Sequence, residues 1–196
     1  MTWWPLPAPL VLASTSKYRQ AQLQRLGLTF SAFAPPYDES PVAGLDARQL
    51  IAHHAVHKAL ATRAAHPDKT AWILAADQGV VLDGVELLGK PHTAENAVAQ
   101  LLHLAGKTHE LRTHVVLDIP GRQLAETSVA QVRVRPLTRA EAEAYVARDQ
   151  PLDCAGSYKI ECAGPWLFEA IDTDDPTAIE GLPLIAVARL LRAAVS

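Results

Sequence analysis

Short apolar runs alternate along the chain with segments whose apolar positions recur at helical spacing. Residues 10–13 form an apolar run that stops at Ser14-Thr15-Ser16, and a helical pattern then extends to Gly27. This pattern predicts a strand, a serine-rich turn and a helix. A second strand is predicted over 29–34, and a long alanine-rich helix over about 46–65.

The middle of the chain carries the clearest turn signal. An apolar run over 71–76, typical of a buried strand, ends abruptly at Asp77. Val80-Val81-Leu82 and Val85-Glu86-Leu87 then flank Asp83-Gly84. Because Asp-Gly tolerates the positive φ of a type I′ turn, these residues predict a β-hairpin.

The remaining elements complete an α/β order. They are a helix over 93–104, a hairpin of strands 110–119 and 123–134, a helix from the capping box Thr138/Glu141 to about 148, a strand over 166–171 and a helix over 184–195. No internal repeat or low-complexity linker divides the sequence. We therefore expect a single α/β domain over residues 1–196, with a mixed sheet flanked by helices and two lobes around a central cleft.

Composition and charge exclude one class of protein. Apolar residues make up 49% and charged residues 20% of the chain, as in folded globular proteins, and the net charge is −3. A non-specific nucleic-acid binder needs a basic field to displace counterions from phosphate, so we exclude that class. The charge is uneven, however, because no acidic residue precedes Asp38 while Lys17, Arg19 and Arg25 are basic. We expect any anion to be bound locally.

Cysteine usage and hydropathy bear on the compartment. Cys154 and Cys162 lack the C-x-x-C spacing of redox and zinc motifs, so we expect free thiols in a reducing, cytoplasmic environment. No apolar run approaches the roughly 20 residues of a membrane span, so we expect no membrane partner.

Hydroxyl and basic side chains meet at the predicted start of the first helix. Ser14, Thr15 and Ser16 follow the strand, and Lys17 and Arg19 stand in the first helical turn. Helix N-termini offer unpaired N–H groups, so this segment is a candidate phosphate cradle. In the alternative, Ser16 only caps the helix and both basic side chains are solvated.

Three carboxylates are candidates for catalysis or metal binding. Asp77 directly follows the predicted buried strand, and α/β folds bind ligands at the carboxyl ends of strands. It either acts as a general base or metal ligand, or only caps a turn. The pair Asp38-Glu39 is either solvated or supplies oxygen ligands to a divalent cation, which then needs a further carboxylate or a substrate phosphate.

Two lysines occupy informative positions. Lys58 lies three residues after Ala55 on the predicted apolar face of its helix, so it either snorkels or meets a negative partner. Lys90 lies in a rigid Gly-Lys-Pro turn after the hairpin. His53 and His57 are spaced i, i+4 and supply only two ligands, so we do not expect a zinc site.

An ordered set of short segments is more specific than any one of these signals. The segments are Leu12-Ala13-Ser14-Thr15-Ser16 with Arg19, Leu26-Gly27-Leu28, Asp38-Glu39, Lys58-Ala59, Ala76-Asp77-Gln78, Asp83-Gly84, Gly89-Lys90-Pro91, His109 to Thr113, Ala155-Gly156-Ser157-Tyr158 and Gly181-Leu182-Pro183. Together they closely resemble the Maf family of septum-formation-inhibitor-like nucleoside triphosphate pyrophosphatases. The resemblance runs from Pro9 to the last predicted helix.

The resemblance implies a fold, an activity and a cofactor. It implies a Maf/ITPase-like α/β domain that hydrolyses a nucleoside triphosphate between its α and β phosphates, with a divalent cation (Mg²⁺ or Mn²⁺) and as a homodimer. By the resemblance Asp77 is the catalytic acid that accepts a proton from water. The residues matched to phosphate handling are Ser14, Arg19, Lys58 and Lys90, and those matched to the metal are Glu39 and Asp77.

Three further positions resemble the branch of the family that hydrolyses 7-methyl-GTP. The branch that acts on dTTP and UTP carries Arg, Thr and Gln where this chain has Tyr18, Gln78 and Glu161. N7-methylguanine is cationic, so Tyr18 could stack on it with a gain of roughly 0.5–2 kcal/mol. Glu161 could accept the N–H donors of the guanine edge, or it is a surface acid beside Lys159.

The sequence departs from the family pattern at a few places, and alternatives remain open. Lys17 replaces the usual Pro, His53 replaces a common Arg, and the Trp3-Trp4 segment has no counterpart in the family. The leading expectation is 7-methyl-GTP hydrolysis that keeps modified nucleotides from incorporation. The alternatives are a dTTP/UTP or broad-range house-cleaning pyrophosphatase, and a nucleotide-binding regulator of cell division without turnover.

Overall fold

Residues 6–196 are described by a computed structural model, so the Trp3-Trp4 segment lies outside the described residues. Within that range the strands are β1 (Leu10–Leu12), β2 (Phe30–Ala32), β3 (Trp72–Leu82), β4 (Glu86–Leu88), β5 (Thr108–Ile119), β6 (Arg122–Val134) and β7 (Phe168–Thr173). The helices are α1 (Lys17–Gln24), α2 (Ala47–Ala65), α3 (Ala94–Leu104), α4 (Arg139–Asp149) and α5 (Leu184–Val195).

The strands form one mixed sheet in the order β2-β1-β3-β5-β6-β7, with β4 paired to β3. β1 pairs in parallel with β2 and with β3, whereas β3–β4 and β6–β7 are antiparallel. Asp83 and Gly84 join β3 to β4 with positive φ values of 51° and 77°, as a type I′ turn requires. The predicted mixed α/β architecture is confirmed.

Two predicted strand boundaries are wrong. β3 does not end at Ala76 but continues through Asp77 to Leu82, and its last three residues, Val80–Leu82, pair antiparallel with β4. The strand predicted from Trp166 begins only at Phe168. Trp166 instead lies in a 3-10 turn over Gly164–Leu167, where Pro165 supplies no N–H to a ladder.

Alternation along the first half of β3 directs its side chains into apolar clusters on opposite faces of the sheet. Trp72, Leu74 and Ala76 pack with residues of α5 such as Val187 and Leu190. Ile73 and Ala75 point to the opposite face, because successive side chains of a strand alternate, and they pack against Ala55 and Ala59 of α2. The small side chains of α2 bring this helix close to the sheet.

The chain divides into two compact units. The first unit extends to Asp77 and also contains Thr113–Ser128 and Asp175–Ser196, and the second contains Gln78–Arg112 and Val129–Asp174. The expectation of one domain over residues 1–196 with a central cleft stays a prediction. None of the helices formed by residues 6–196 combines the length and apolar content needed to cross a bilayer.

Candidate active site

Asp77 faces α2 as a consequence of strand alternation. It has the same parity as Ile73 and Ala75, whose side chains pack against this helix. The parallel pairing of β1 with β3 reaches Leu74, so Asp77 stands just beyond the carboxyl end of the parallel segment. Although β3 continues past it, the residue occupies the edge at which α/β sheets place their ligands.

Lys58 joins two carboxylates in the first unit. Its Nζ lies 2.5 Å from Oδ1 of Asp77 and 2.9 Å from Oε1 of Glu39. The Lys58 side chain is 7% exposed and that of Asp77 12%, whereas that of Glu39 is 52% exposed. The ammonium group is therefore not a snorkelling surface charge but a buried counterion, which desolvation would otherwise disfavour.

The two carboxylates fit a divalent cation that is shared with substrate. Among residues 6–196, no group of three or more His, Cys, Asp or Glu side chains is arranged to hold a metal ion. Mg²⁺ is commonly held by one or two carboxylates together with substrate phosphates, and not by a cage made of protein alone. Glu39 and Asp77, already gathered around one cation, match that requirement in number and chemistry.

The serine-rich segment forms the turn into α1. The Ser14 hydroxyl accepts from the backbone N–H of Ser16 at 3.1 Å, and the Ser16 hydroxyl accepts from that of Arg19 at 3.4 Å. Ser16 is thus the N-cap, as the alternative held, but the same alternative is wrong in expecting a solvated Arg19, because its guanidinium is buried and bonded to backbone carbonyls. Ser14 is buried, and its hydroxyl acts only as an acceptor in the first of these two bonds, so neither bond uses its hydroxyl hydrogen.

Arg19 clamps two backbone segments of the first unit. Its Nη1 donates to the carbonyl oxygen of Ala76 at 2.7 Å, and its Nε donates to that of Gly181 at 3.1 Å. Burial lowers the pKa of Arg19, while the negative charges of Asp77 and Glu39 act in the opposite direction. Two donors of the guanidinium therefore fix the strand next to Asp77. The sequence had matched Arg19 to phosphate binding alone and did not predict these backbone contacts.

Tyr37 and His54 were missed by the sequence reasoning. The Tyr37 hydroxyl lies 2.8 Å from Nδ1 of His54, and the rings meet edge to face. His54 precedes Lys58 by four residues and so shares its helix face, which is the signal that could have found it. His53 and His57 stack at 3.8 Å, and His57 Nδ1 lies 2.9 Å from the His53 carbonyl oxygen.

Tyr18 belongs to the first unit and carries a cation on its ring. The ammonium of Lys17 lies 5.1 Å from the ring centroid, within the range of a cation–π contact. This lysine stands where the family usually has proline. A cationic base that stacks on Tyr18 would compete with Lys17 for the ring.

The other three predicted site residues belong to the second unit. Gln78 follows Asp77 directly along β3, while Lys90 and Glu161 have exposed side chains. The convergence of these three residues with Asp77 stays a prediction. Lys159, named beside Glu161 in the alternative, donates from Nζ to the carbonyls of Asp149 and Gln150, each at 3.0 Å.

The segment that leads to Glu161 is tightly held within the second unit. Gly156 and Ser157 both have positive φ, at 75° and 63°, and the Ser157 hydroxyl donates to Gln100 at 2.5 Å. The backbone N–H of Lys159 donates to the Tyr145 hydroxyl at 2.8 Å. These contacts fix the backbone on both sides of Tyr158.

Tyr158 is anchored by a buried histidine. Its hydroxyl lies 2.9 Å from Nε2 of His109, and its ring meets Phe168 edge to face. Burial lowers the pKa of His109 to about 4 and raises that of Tyr158, so both are neutral at pH 7. Within the described residues, Nδ1 of His109 is a buried polar atom without a hydrogen-bond partner.

Comparison with known proteins adds named relatives over nearly the whole chain. A protein named 7-methyl-GTP pyrophosphatase from Xanthomonas axonopodis pv. citri is 46% identical over 185 residues, which cover 94% of this chain and 96% of that protein. A protein of the same name from Bdellovibrio bacteriovorus is 43% identical, with 93% and 95% covered. One from Polaromonas sp. is 44% identical, with 97% and 86% covered.

A solved structure is more distantly similar. It is described as a nucleoside-triphosphatase, dITP/XTP pyrophosphatase, from Mycobacterium abscessus, and it is 16% identical with a TM-score of 0.49 over 96% of this chain and 98% of that chain. Nothing about this chain is inferred from so low an identity and TM-score. The family model described as Maf-like protein, by contrast, matches residues 9–194, from the start of β1 to the end of α5. This chain therefore belongs to the Maf-like protein family.

Proposed function

We propose that this chain hydrolyses 7-methyl-GTP to 7-methyl-GMP and pyrophosphate and thereby keeps a modified nucleotide from incorporation. The observation that carries the proposal is the pair of carboxylates, Glu39 and Asp77, around the buried ammonium of Lys58. Support for the substrate comes from relatives at 43–46% identity that bear this activity in their names. Tyr18, Gln78 and Glu161 match the same branch.

Each residue has a chemical role in the proposal. Asp77 accepts the proton of the attacking water while the new O–P bond forms and the bridging bond between the α and β phosphates breaks. Lys58, Arg19 and Lys90 offset the charge of the triphosphate, and Ser14 binds a phosphate oxygen. A divalent cation, Mg²⁺ or Mn²⁺, bound by Glu39 and Asp77 would neutralise phosphate charge.

Base recognition falls to three residues in the proposal. Tyr18 stacks on the cationic N7-methylguanine ring, which displaces Lys17 from its contact with the aromatic ring. Glu161 accepts from the N–H donors of the guanine edge, which uracil and thymine lack in this arrangement. Gln78 is included because, directly after Asp77, it matches the branch of the family that hydrolyses 7-methyl-GTP.

A substrate panel tests the proposal. Purified protein is assayed with 7-methyl-GTP, GTP, dTTP and UTP, with Mg²⁺ or Mn²⁺ and with a chelator, and nucleoside monophosphate and pyrophosphate are measured separately. We expect the highest kcat/KM for 7-methyl-GTP and loss of turnover with the chelator. A higher kcat/KM for dTTP or UTP would contradict 7-methyl-GTP as the substrate. Binding without turnover of any nucleotide would favour a nucleotide-binding regulator of cell division.

Location and assembly complete the proposal. We infer a cytoplasmic protein, supported by Cys154 and Cys162, both of which are free thiols. A homodimer is implied by the family resemblance. Light scattering on the purified chain gives the mass in solution, and a monomeric mass would contradict the dimer.

A further inference from the structure

Glu39 lies on a loop without regular secondary structure. Residues 33–46, between β2 and α2, form neither helix nor strand. The backbone N–H of Tyr37 donates only two residues back, to the carbonyl of Pro35 at 2.9 Å. The start of the loop is tied to β1, because the backbone N–H of Phe33 donates to the carbonyl oxygen of Leu12 at 2.9 Å. This bond lies six residues before Glu39, so we look to the side chains nearer Glu39 for what places it.

Two side chains of the loop reach α2 on consecutive helical turns. Tyr37 bonds His54 at 2.8 Å, and Glu39 bonds Lys58 at 2.9 Å. His54 and Lys58 are four residues apart, a rise of about 6 Å along the helix. Two residues of extended chain span about 6.6 Å, so the spacing of 37 and 39 matches that of the two helix residues.

The Tyr37–His54 contact can hold this part of the loop against α2. His54 is buried at 5% exposure, and the Tyr37 ring also stacks on His57 with centroids 5.9 Å apart. The tyrosine is thus fixed by its ring and by its hydroxyl.

We propose that Tyr37 and His54 are positioning residues, whose hydrogen bond holds Glu39 at Lys58 and hence beside Asp77. The inference rests on the proposed function, in which Glu39 and Asp77 share a cation with substrate. Without the bond, the loop spends part of its time with Glu39 away from Asp77. Apparent affinity for the cation falls in proportion to the remaining competent fraction.

The test measures binding without turnover. The Mn²⁺–pyrophosphate complex, and pyrophosphate alone in chelator, are titrated calorimetrically into the full chain, into Tyr37→Phe, into His54→Leu and into the double variant. Tyr37→Phe keeps the ring and removes only the hydroxyl. His66→Gln is the control, since His66 caps the far end of α2 and contacts Phe33.

We expect each single variant to weaken the Mn²⁺–pyrophosphate complex about five- to tenfold, the scale of one lost hydrogen bond. Pyrophosphate alone should bind equally well or more tightly, because the only group displaced is the negatively charged Glu39. The double variant should lose no more than either single one, since both remove the same bond. A structural defect would instead lower the affinity for both the Mn²⁺–pyrophosphate complex and pyrophosphate alone.

Three results overturn the inference: equal Mn²⁺–pyrophosphate affinity in all variants, an equal loss in His66→Gln, or a matching loss of affinity for pyrophosphate alone. The outcomes separate it from the proposed function. If the unmodified chain turns over no nucleotide but Tyr37→Phe still weakens the Mn²⁺ complex, the substrate is wrong and the positioning role stands. If 7-methyl-GTP is hydrolysed and Mn²⁺ affinity is unchanged in Tyr37→Phe, the positioning role is wrong.

Discussion

The ammonium group of Lys58 lies 2.5 Å from the carboxylate of Asp77, and neither side chain is more than 12% exposed. The helix residue and the strand residue are 19 positions apart in the chain. Ala55 and Ala59 flank Lys58 on its helix face and leave room for the close approach of α2 to β3. This pair organises both the stability and the proposed chemistry of the first unit.

Asp77→Asn should abolish most hydrolysis while nucleotide binding persists. An amide cannot accept the proton of water, so kcat should fall by about 10²–10⁴-fold. The affinity for product nucleotide should hold or increase, because a negative charge near phosphate is removed. Asp118→Asn is the matched control, since Asp118 is also buried and bonds Arg63 at 2.7 Å. Comparable kcat in the two variants would argue against Asp77.

Lys58→Met should destabilise the chain more than its volume change implies. It removes the ion-pair partner that lies 2.5 Å from the buried carboxylate of Asp77, at a cost of about 3–5 kcal/mol in the free energy of unfolding. Adding Asp77→Asn should recover a large part of that loss, because the uncompensated charge is gone. Urea unfolding of the single and double variants measures both. Additive losses would mean that the ion pair is not coupled.

Arg19→Lys should lower kcat. A lysine keeps the charge but cannot bond the carbonyls of Ala76 and Gly181 from one planar group, so Asp77 loses support. We expect roughly a tenfold fall in kcat, about 1.4 kcal/mol of transition-state stabilisation. Arg25→Lys, which alters an exposed ion pair between Glu180 and the C-cap residue of α1, should leave kcat unchanged.

Gly156→Ala should destabilise the chain clearly more than Gly121→Ala. Both glycines have positive φ, at 75° and 76°. A Cβ at Gly156 would lie 2.7 Å from Val80 Cγ2 and 2.8 Å from Tyr158 Cε1, whereas Gly121 has nothing within 4 Å. We expect about 1–2 kcal/mol at Gly121 from the backbone alone, and a further 1–3 kcal/mol at Gly156 from overpacking. Equal unfolding free energies would contradict the close packing.

Stability should fall as the pH drops from about 6.5 to 4 because of His109. Its pKa is about 4 in the folded chain against 6.5 ordinarily, so the unfolded chain binds the proton first. The contribution of neutral His109 to the free energy of unfolding is therefore complete above pH 6.5 and is lost as the pH approaches 4. The whole loss amounts to up to about 3 kcal/mol. In His109→Gln the pH dependence should be smaller by this amount. His103→Gln, at an exposed position, should keep the full dependence.

The sequence by itself determined the order of elements and the chemistry of most candidate residues. Periodicity predicted α2, the hairpin at Asp83-Gly84 and the capping box at Thr138, because each depends on contacts close in the chain. The mixed α/β class followed from their order. Lys58 could be placed on a buried helix face, because it lies seven residues after Ile51 and three after Ala55.

Only the tertiary structure decided which of these groups meet. No local pattern shows that Lys58 bridges Glu39 and Asp77, because three separate segments supply the atoms. Arg19 appeared as a phosphate ligand in the sequence, yet two of its donors bond backbone carbonyls far along the chain. β3 continues past Asp77 within the sheet, between β1 and β5 in the strand order and paired with β4 at Val80–Leu82, which are contacts with other segments of the chain. Contacts between distant segments depend on packing, which periodicity does not encode.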